Sequence, residues 1–355
     1  MKPVALGVIG CGVIGRHHLA AASQSPVIRV AAVADLIEEK GREMAEQYGI
    51  PKRYAEGADL LEDPDIEAVV LAFPAVGRFP LAMKAFRKGI HVLTEKPVAM
   101  NADEVRRMIA ARGHLVAGCC SSRYRFLPSA EAVTRFIATS ALGELRVIRA
   151  RNISAAGAPP ASPPPTWRLR RAENGGGILM NWGCYDLDYL LGIIGWSLRP
   201  QTVLAETWTL PDHYASRAAP NSDAETHVTA LIHCEGGAAI AYERGEFVAS
   251  RAEGAWQIVG SRGTLHLRMT TEQEKIIAFD AADGERGVVS EVIWQGEEDA
   301  ARVHAGPVQD GYAVRGDTRG TAAQNRSRAG AGRATDQRRH LSFGPTRARC
   351  GGKGR

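Results

Sequence analysis

The chain has 355 residues, 45% of them hydrophobic, and a formal net charge of +5. That length allows two sizeable cores, and with no run of 18 uninterrupted apolar residues a membrane-spanning helix is excluded. The positive balance sits in residues 311–355, where ten arginines and one lysine face only Asp317 and Asp336; the first 310 residues are net acidic and give no ground for nucleic-acid binding apart from that basic tail.

The most informative stretch is Gly10-Cys11-Gly12-Val13-Ile14-Gly15, after the apolar run Val4–Ile9 and before a helical pattern. A second apolar run, Ile28–Ala34, ends on Asp35, twenty residues past the last glycine. Strand, glycine turn, helix and acid at that distance read as a dinucleotide site. Gly10, Gly12 and Gly15 serve the turn, the approach of a pyrophosphate and the helix–strand contact, and the N–H groups at Val13 and Ile14 hold the phosphates. Asp35 takes the adenosine ribose hydroxyls and repels a 2′-phosphate, so NAD is expected over NADP. Strands are predicted at 4–9, 28–34, 66–73, 90–94 and 115–120, with helices at 14–24, 36–48, 79–88 and 101–112. Such alternation implies a doubly wound parallel sheet. Phe73-Pro74 closes the third strand at the edge where cofactors sit.

A helix at 129–139 and a strand at 144–153 follow, then an Ala/Gly/Pro-rich exposed loop at 155–165. One helix is predicted over 177–194. Alternating runs at 201–209, 226–234, 238–248, 255–260, 263–269, 275–279 and 288–294 predict a mostly antiparallel sheet with one face covered. Its other face suggests a homo-dimer or tetramer. The six cysteines form no Cys-x-x-Cys pair, so neither a disulfide framework nor a metal site is expected. His17-His18 is read as capping or packing. No signal-peptide pattern precedes the glycine turn, and cytoplasmic placement is expected.

Further motifs complete a resemblance. Thr94-Glu95-Lys96-Pro97 ends the fourth strand, Arg125-Phe126-Leu127-Pro128 follows the fifth, and Trp167-Arg168 precedes the segment Gly175-Gly176-Gly177-Ile178-Leu179-Met180-Asn181-Trp182-Gly183-Cys184-Tyr185-Asp186-Leu187-Asp188. In this order, over roughly residues 4–310, the chain resembles the glucose–fructose oxidoreductase / inositol dehydrogenase (Gfo/Idh/MocA) family. The resemblance implies an N-terminal Rossmann doubly wound parallel sheet (1–122) plus a C-terminal α+β domain with a mostly antiparallel open sheet (123–310). It also implies an NAD-dependent oxidoreductase acting on a sugar, cyclitol or related polyol. The chain departs from the family pattern at Asn181, where an Asp is usual, and at Tyr185, where a His is most frequent.

The chemistry is expected to rest on three residues. Lys96, at the end of a strand, places an ammonium by the cofactor edge and stabilises a developing alkoxide. Tyr185 handles the proton, its phenolate favoured by Lys96. Asn181 bonds a substrate hydroxyl or holds Tyr185; with Asp188 the three share one helical face. Glu95 orients backbone or cofactor, and Phe73 and Pro74 join Lys96 in the cofactor-facing set. Tyr124, Arg125, Trp167 and Arg168 line or brace the substrate cleft. Asp186 and Asp188 lie two apart and are not a glycosidase pair. Two other readings stay open: an NAD-binding sensor without turnover, and NAD-dependent glycosidic-bond cleavage through transient oxidation.

Residues 311–355 do not read as the end of this fold. Either the reading frame changes near Asp310 or the chain carries a disordered basic tail.

Overall fold

The computed structural model describes residues 2–162, 164–298 and Val303. The expectations for residues 311–355 lie outside the described residues.

The first sheet begins with β1 (Val4–Ile9), whose side chains are almost all buried. A run of apolar residues without alternation is what a strand covered on both faces requires. α1 (Val13–Ser23), β2 (Ile28–Ala34), α2 (Glu38–Tyr48), β3 (Lys52–Tyr54), the single turn α3 (Gly57–Leu60) and β4 (Ala68–Leu71) follow. Next come α4 (Arg78–Arg87), β5 (His91–Thr94), α5 (Ala102–Ala111) and β6 (Ala117–Cys119). The strand order is β3-β2-β1-β4-β5-β6, with every neighbouring pair parallel. This is the doubly wound order with β1 near the middle, so the turns after β1, β4 and β5 open on one edge. β3 and α3 escape the sequence reading because three and four residues carry no usable period. β4 is shorter than expected; it stops at Leu71, two residues before Phe73-Pro74.

A 3-10 segment, Cys120–Phe126, leads to α6 (Pro128–Ala138), which has Pro128 in its first turn. β7 (Leu145–Ala155), the exposed 155–162 stretch and the single turn α7 (Arg171–Asn174) come next. The helix expected over 177–194 forms, with a π-helical turn at Leu179–Gly183 running without interruption into α8 (Cys184–Ile193). The chain then forms β8 (Pro200–Thr209), β9 (Glu225–Cys234), β10 (Ala239–Val248), β11 (Glu253–Gly260), β12 (Gly263–Leu267), β13 (Lys275–Asp283) and β14 (Gly287–Gly296).

The second sheet runs β14-β13-β12-β11-β7-β10-β9-β8. All its neighbours are antiparallel except β7 and β10, which are parallel. α6 and α8 cover one face: Val133, Leu190 and Ile193 share a buried cluster with Ile148, Ile240, Ile258 and Leu265. The other face is open, with the paired Leu204 and Leu231 exposed on it. Among the described residues no helix is long and apolar enough to cross a membrane.

Candidate active site

The glycine turn follows β1 at the open sheet edge. Gly10 sits at φ +96°, and a side chain there would strike the Ala72 carbonyl oxygen at 2.5 Å. At Gly15 a Cβ would lie 1.9 Å from the Gly10 oxygen, so α1 can approach β1 only without one. A Cβ at Gly12 would meet nothing within 4 Å; the space above it is open to a ligand. α1 has no acidic residue in its first turn, and the N–H groups there lack intrahelical acceptors. Val13, Leu36 and Ile37 are exposed around the turn and supply an apolar rim. Asp35 holds the turn: Oδ2 accepts from the Cys11 N–H at 2.7 Å and Oδ1 from the Ile37 N–H at 2.8 Å. Its remaining acceptor capacity suits ribose hydroxyls. A turn without side chains at Gly10 and Gly12, the N–H groups that open α1 and an acceptor at the end of β2 fit a dinucleotide.

Glu95 and Lys96 follow β5 on the same edge. Glu95 is 3% exposed and is the hub of a buried network. His18 of α1 meets its Oε1 through Nε2 at 3.0 Å, and Arg123 donates to the same oxygen. Facing a carboxylate, that His18 nitrogen carries the proton. The Lys96 N–H donates to Glu95 Oε2 at 3.1 Å. Burial would raise the Glu95 pKa; the His18 hydrogen bond and the Arg123, His18 and Lys96 charges more than reverse this and hold it well below the carboxylate range. The Glu95 carboxylate therefore gathers these groups as an anion. His18, Glu95 and Cys120 each offer a ligand atom within 4.8 Å of the others, but Arg123 already occupies the cation's place on Glu95.

The Lys96 ammonium reaches across to the second sheet's helices. Its Nζ donates to the main-chain oxygen and to Oδ1 of Asn181, both at 2.8 Å. Both acceptors are presented within the π-helical turn. Lys96 Nζ lies 4.9 Å from the centroid of the Tyr185 ring, and the Arg123 guanidinium 5.3 Å from the same centroid. Burial lowers the Lys96 pKa, Cys184 and Glu95 oppose this, and Arg123 and Arg78 lower it further.

Lys96, Asn181 and Tyr185 thus meet, but not in the expected way. The ammonium is over the face of the tyrosine ring, and burial pushes the Tyr185 phenol well above its ordinary value despite Arg123. The lowered phenol expected from the sequence is not what the geometry provides. A ring face offers an ammonium quadrupole attraction and leaves the hydroxyl unstabilised. Asp188 does not join the trio; it accepts from Arg125 Nε at 2.6 Å and Ser121 at 3.2 Å.

Tyr124 is buried and packs edge-on against Tyr185 at 5.2 Å. Arg125 braces α8 through Asp188. Arg168 stands elsewhere: it pairs with Glu246 on β10 and belongs with Asp186, Tyr242 and Arg244. Trp167 is 37% exposed. Arg168 thus contacts β10, and the Trp167 side chain faces solvent. The sequence reading passed over Arg78 and Arg123, and His18 was read as capping or packing. An arginine two residues before the noted Arg125 carried no distinguishing signal. His18 had one, since a polar residue three past Gly15 faces the sheet.

The comparisons with known proteins agree with this fold. The model described as "Oxidoreductase family, NAD-binding Rossmann fold" matches residues 4–114, and the Gfo/Idh/MocA C-terminal domain matches 130–266. The chain is 30% identical over 202 residues to trans-1,2-dihydrobenzene-1,2-diol dehydrogenase of Xenopus laevis, covering 56% of this chain and 59% of that relative. It is 30% identical over 274 residues to dTDP-3,4-didehydro-2,6-dideoxy-alpha-D-glucose 3-reductase of Streptomyces violaceoruber, covering 75% and 73%. The fold matches levoglucosan dehydrogenase in complex with NADH, with a TM-score of 0.74 at 20% identity over 88% of this chain and 90% of that one. With a parallel nucleotide sheet, an open antiparallel sheet and these matches in sequence order, the chain belongs to the Gfo/Idh/MocA oxidoreductase family.

Proposed function

We propose that the chain is an NAD-dependent oxidoreductase acting between a secondary hydroxyl and a ketone of a sugar, cyclitol or related polyol. Residues 1–122 serve the nucleotide and the sheet that follows serves the substrate. The observation that carries the reading is Lys96: a half-buried ammonium at the cofactor edge, pinned by two neutral oxygens of Asn181, with no carboxylate on its Nζ among the described residues. Its third N–H is left for a substrate oxygen.

Bound NAD supplies the hydride acceptor, and NADH the donor. The glycine turn and α1 hold the phosphates, and Asp35 the ribose. Lys96 bonds the reacting oxygen and stabilises the charge that grows on it. Lys96 also moves the proton: burial and two neighbouring guanidiniums make its ammonium a better acid than a free lysine. Tyr185 forms an apolar wall under Nζ, and Asn181 sets the direction of the remaining N–H.

The test follows nicotinamide absorbance with NAD or NADH and a panel of sugars, cyclitols and their keto forms, beside Lys96→Met. Turnover is expected to fall by about a thousand-fold or more in the variant, with NADH binding within about three-fold of wild type. Equal turnover in Lys96→Met overturns the assignment.

A further inference from the structure

Arg78 opens α4 and is 5% exposed. Among the described residues no carboxylate lies within ion-pair distance of it. Its guanidinium is spent on main-chain carbonyls instead. Nε donates to Phe73 O at 2.7 Å, and Nη1 donates to Glu95 O at 2.7 Å and to Pro97 O. Phe73 lies in the turn after β4, on the cofactor edge. Glu95 and Pro97 flank Lys96. A buried guanidinium satisfied only by carbonyl dipoles is costly, because no anion offsets its lost hydration. A lysine could not reproduce the arrangement, since one ammonium lacks the planar fork that reaches two separate loops.

We propose that Arg78 is a positioning residue for Lys96: its fork fixes the turn that carries Lys96 against the turn after β4, and its charge adds to the cation excess around the Lys96 ammonium. The proposal rests on the reading of Lys96 as the proton-carrying group. The groups that face Lys96 are few. Glu95 stands on its own turn, Arg78 on α4, Arg123 on the 3-10 segment, Asn181 on the π-helical turn, and Cys184 and Tyr185 on α8. Cys184 is kept neutral by burial, which pushes its thiol up to about 12. The one carboxylate, Glu95, is shared with Arg123 and His18. Removing Arg78's charge makes the Lys96 ammonium harder to deprotonate; removing only its fork moves the ammonium without changing that charge.

Two variants of the full chain separate these roles. In Arg78→Met the charge and the fork are lost; in Arg78→Lys the charge remains. Acetic anhydride labelling of Lys96 against pH, read by peptide mass, gives the titration midpoint of Lys96 with neither substrate nor cofactor present. Arg78→Met is expected to raise that midpoint by about one pH unit, and Arg78→Lys to leave it nearly unchanged. With a substrate from the panel, Arg78→Lys is expected to lose about ten-fold or more in kcat with KM changed by less than about three-fold. A midpoint that does not move in Arg78→Met, or a wild-type kcat in Arg78→Lys, overturns the proposal. Should Arg78→Met fail to fold, by loss of a cooperative melt, Arg78→Lys decides through kcat and KM. Full turnover in Lys96→Met sinks the proton-carrier reading instead, and the labelling midpoint still reports on Arg78.

Discussion

At the ring of Tyr185 two cations, Lys96 and Arg123, lie 4.9 and 5.3 Å from the centroid, and Arg78 is tied to the turn behind them. At the neighbouring ring of Trp182 a single cation, Arg244, lies at 4.6 Å. Among the described residues the first group gathers around one buried carboxylate, Glu95, and neither Lys96 nor Arg78 has a carboxylate at ion-pair distance. The second pairs its charges one to one: Arg244 with Asp186, and Arg168 with Glu246. Matched buried charges join β10 to the helices and residue 168 without perturbing a reactive group. Unmatched charges cost stability, and persist where a group must be held in a reactive ionisation state. The difference separates a site from a brace, although the two lie within one ring contact, Trp182–Tyr185 at 5.6 Å.

The comparison can be broken first at Glu95. Glu95→Gln removes the only carboxylate in the unmatched group and is expected to cost ~3–5 kcal/mol at neutral pH, read by urea unfolding. Because the folded-state pKa is depressed, the stabilisation is present above the ordinary value of 4.5 and is lost as pH falls below it. The gap between variant and wild type therefore narrows below about pH 4. A pH-independent gap would show that Glu95 acts by packing alone.

Asp186, in the matched group, has the opposite sign. Burial raises it to about 6 against the pull of Arg244 and the Tyr242 O–H, which donates at 2.8 Å. A raised carboxylate opposes folding once ionised. The penalty is absent below the unfolded value of 3.8, grows between there and about 6, and is constant above. Wild type should lose roughly 3 kcal/mol relative to Asp186→Asn across that window, measured as unfolding free energy at each pH. Parallel curves for the two proteins would place the ionised form of Asp186 in the folded state throughout.

The smallest expected effect sharpens the contrast. Asn181→Asp gives Lys96 an anionic partner and converts the unmatched group toward the matched kind. The Lys96 titration midpoint should rise by about one pH unit, and the pH at which turnover changes should follow it. A shift in neither removes the link between cation excess and proton transfer.

Much of the fold was legible in the chain. β1 and β2 occupy the residues read from the apolar runs, and the strands of the second sheet fall within a few residues of the alternating pattern. The glycine turn and Asp35 come together as expected, because a strand–turn–helix spacing is local geometry. Lys96, Asn181 and Tyr185 were singled out and do meet. Their relation was misread, since periodicity places residues on a helical face but not a cation above a ring or beside a hydroxyl. The π-helical turn was invisible for a similar reason: a run of apolar residues with three glycines before it fits either hydrogen-bond pattern. The pairing of Arg168 with Glu246, 78 residues away, has no trace in any local pattern.

By itself the sequence determined the order of strands and helices, the phosphate-binding turn and the candidacy of Lys96. The first two follow from the 2.0 and 3.6 residue periods and from a turn that only glycine can make, while Lys96 was singled out by the resemblance of Glu95-Lys96-Pro97 to the family's motif. The tertiary structure alone decided the charge state of the site. His18, Arg78, Glu95, Arg123 and Asn181 come from five elements, and burial removes the water that would otherwise screen them. Which cations go unmatched is a property of that assembly, and no local pattern encodes it.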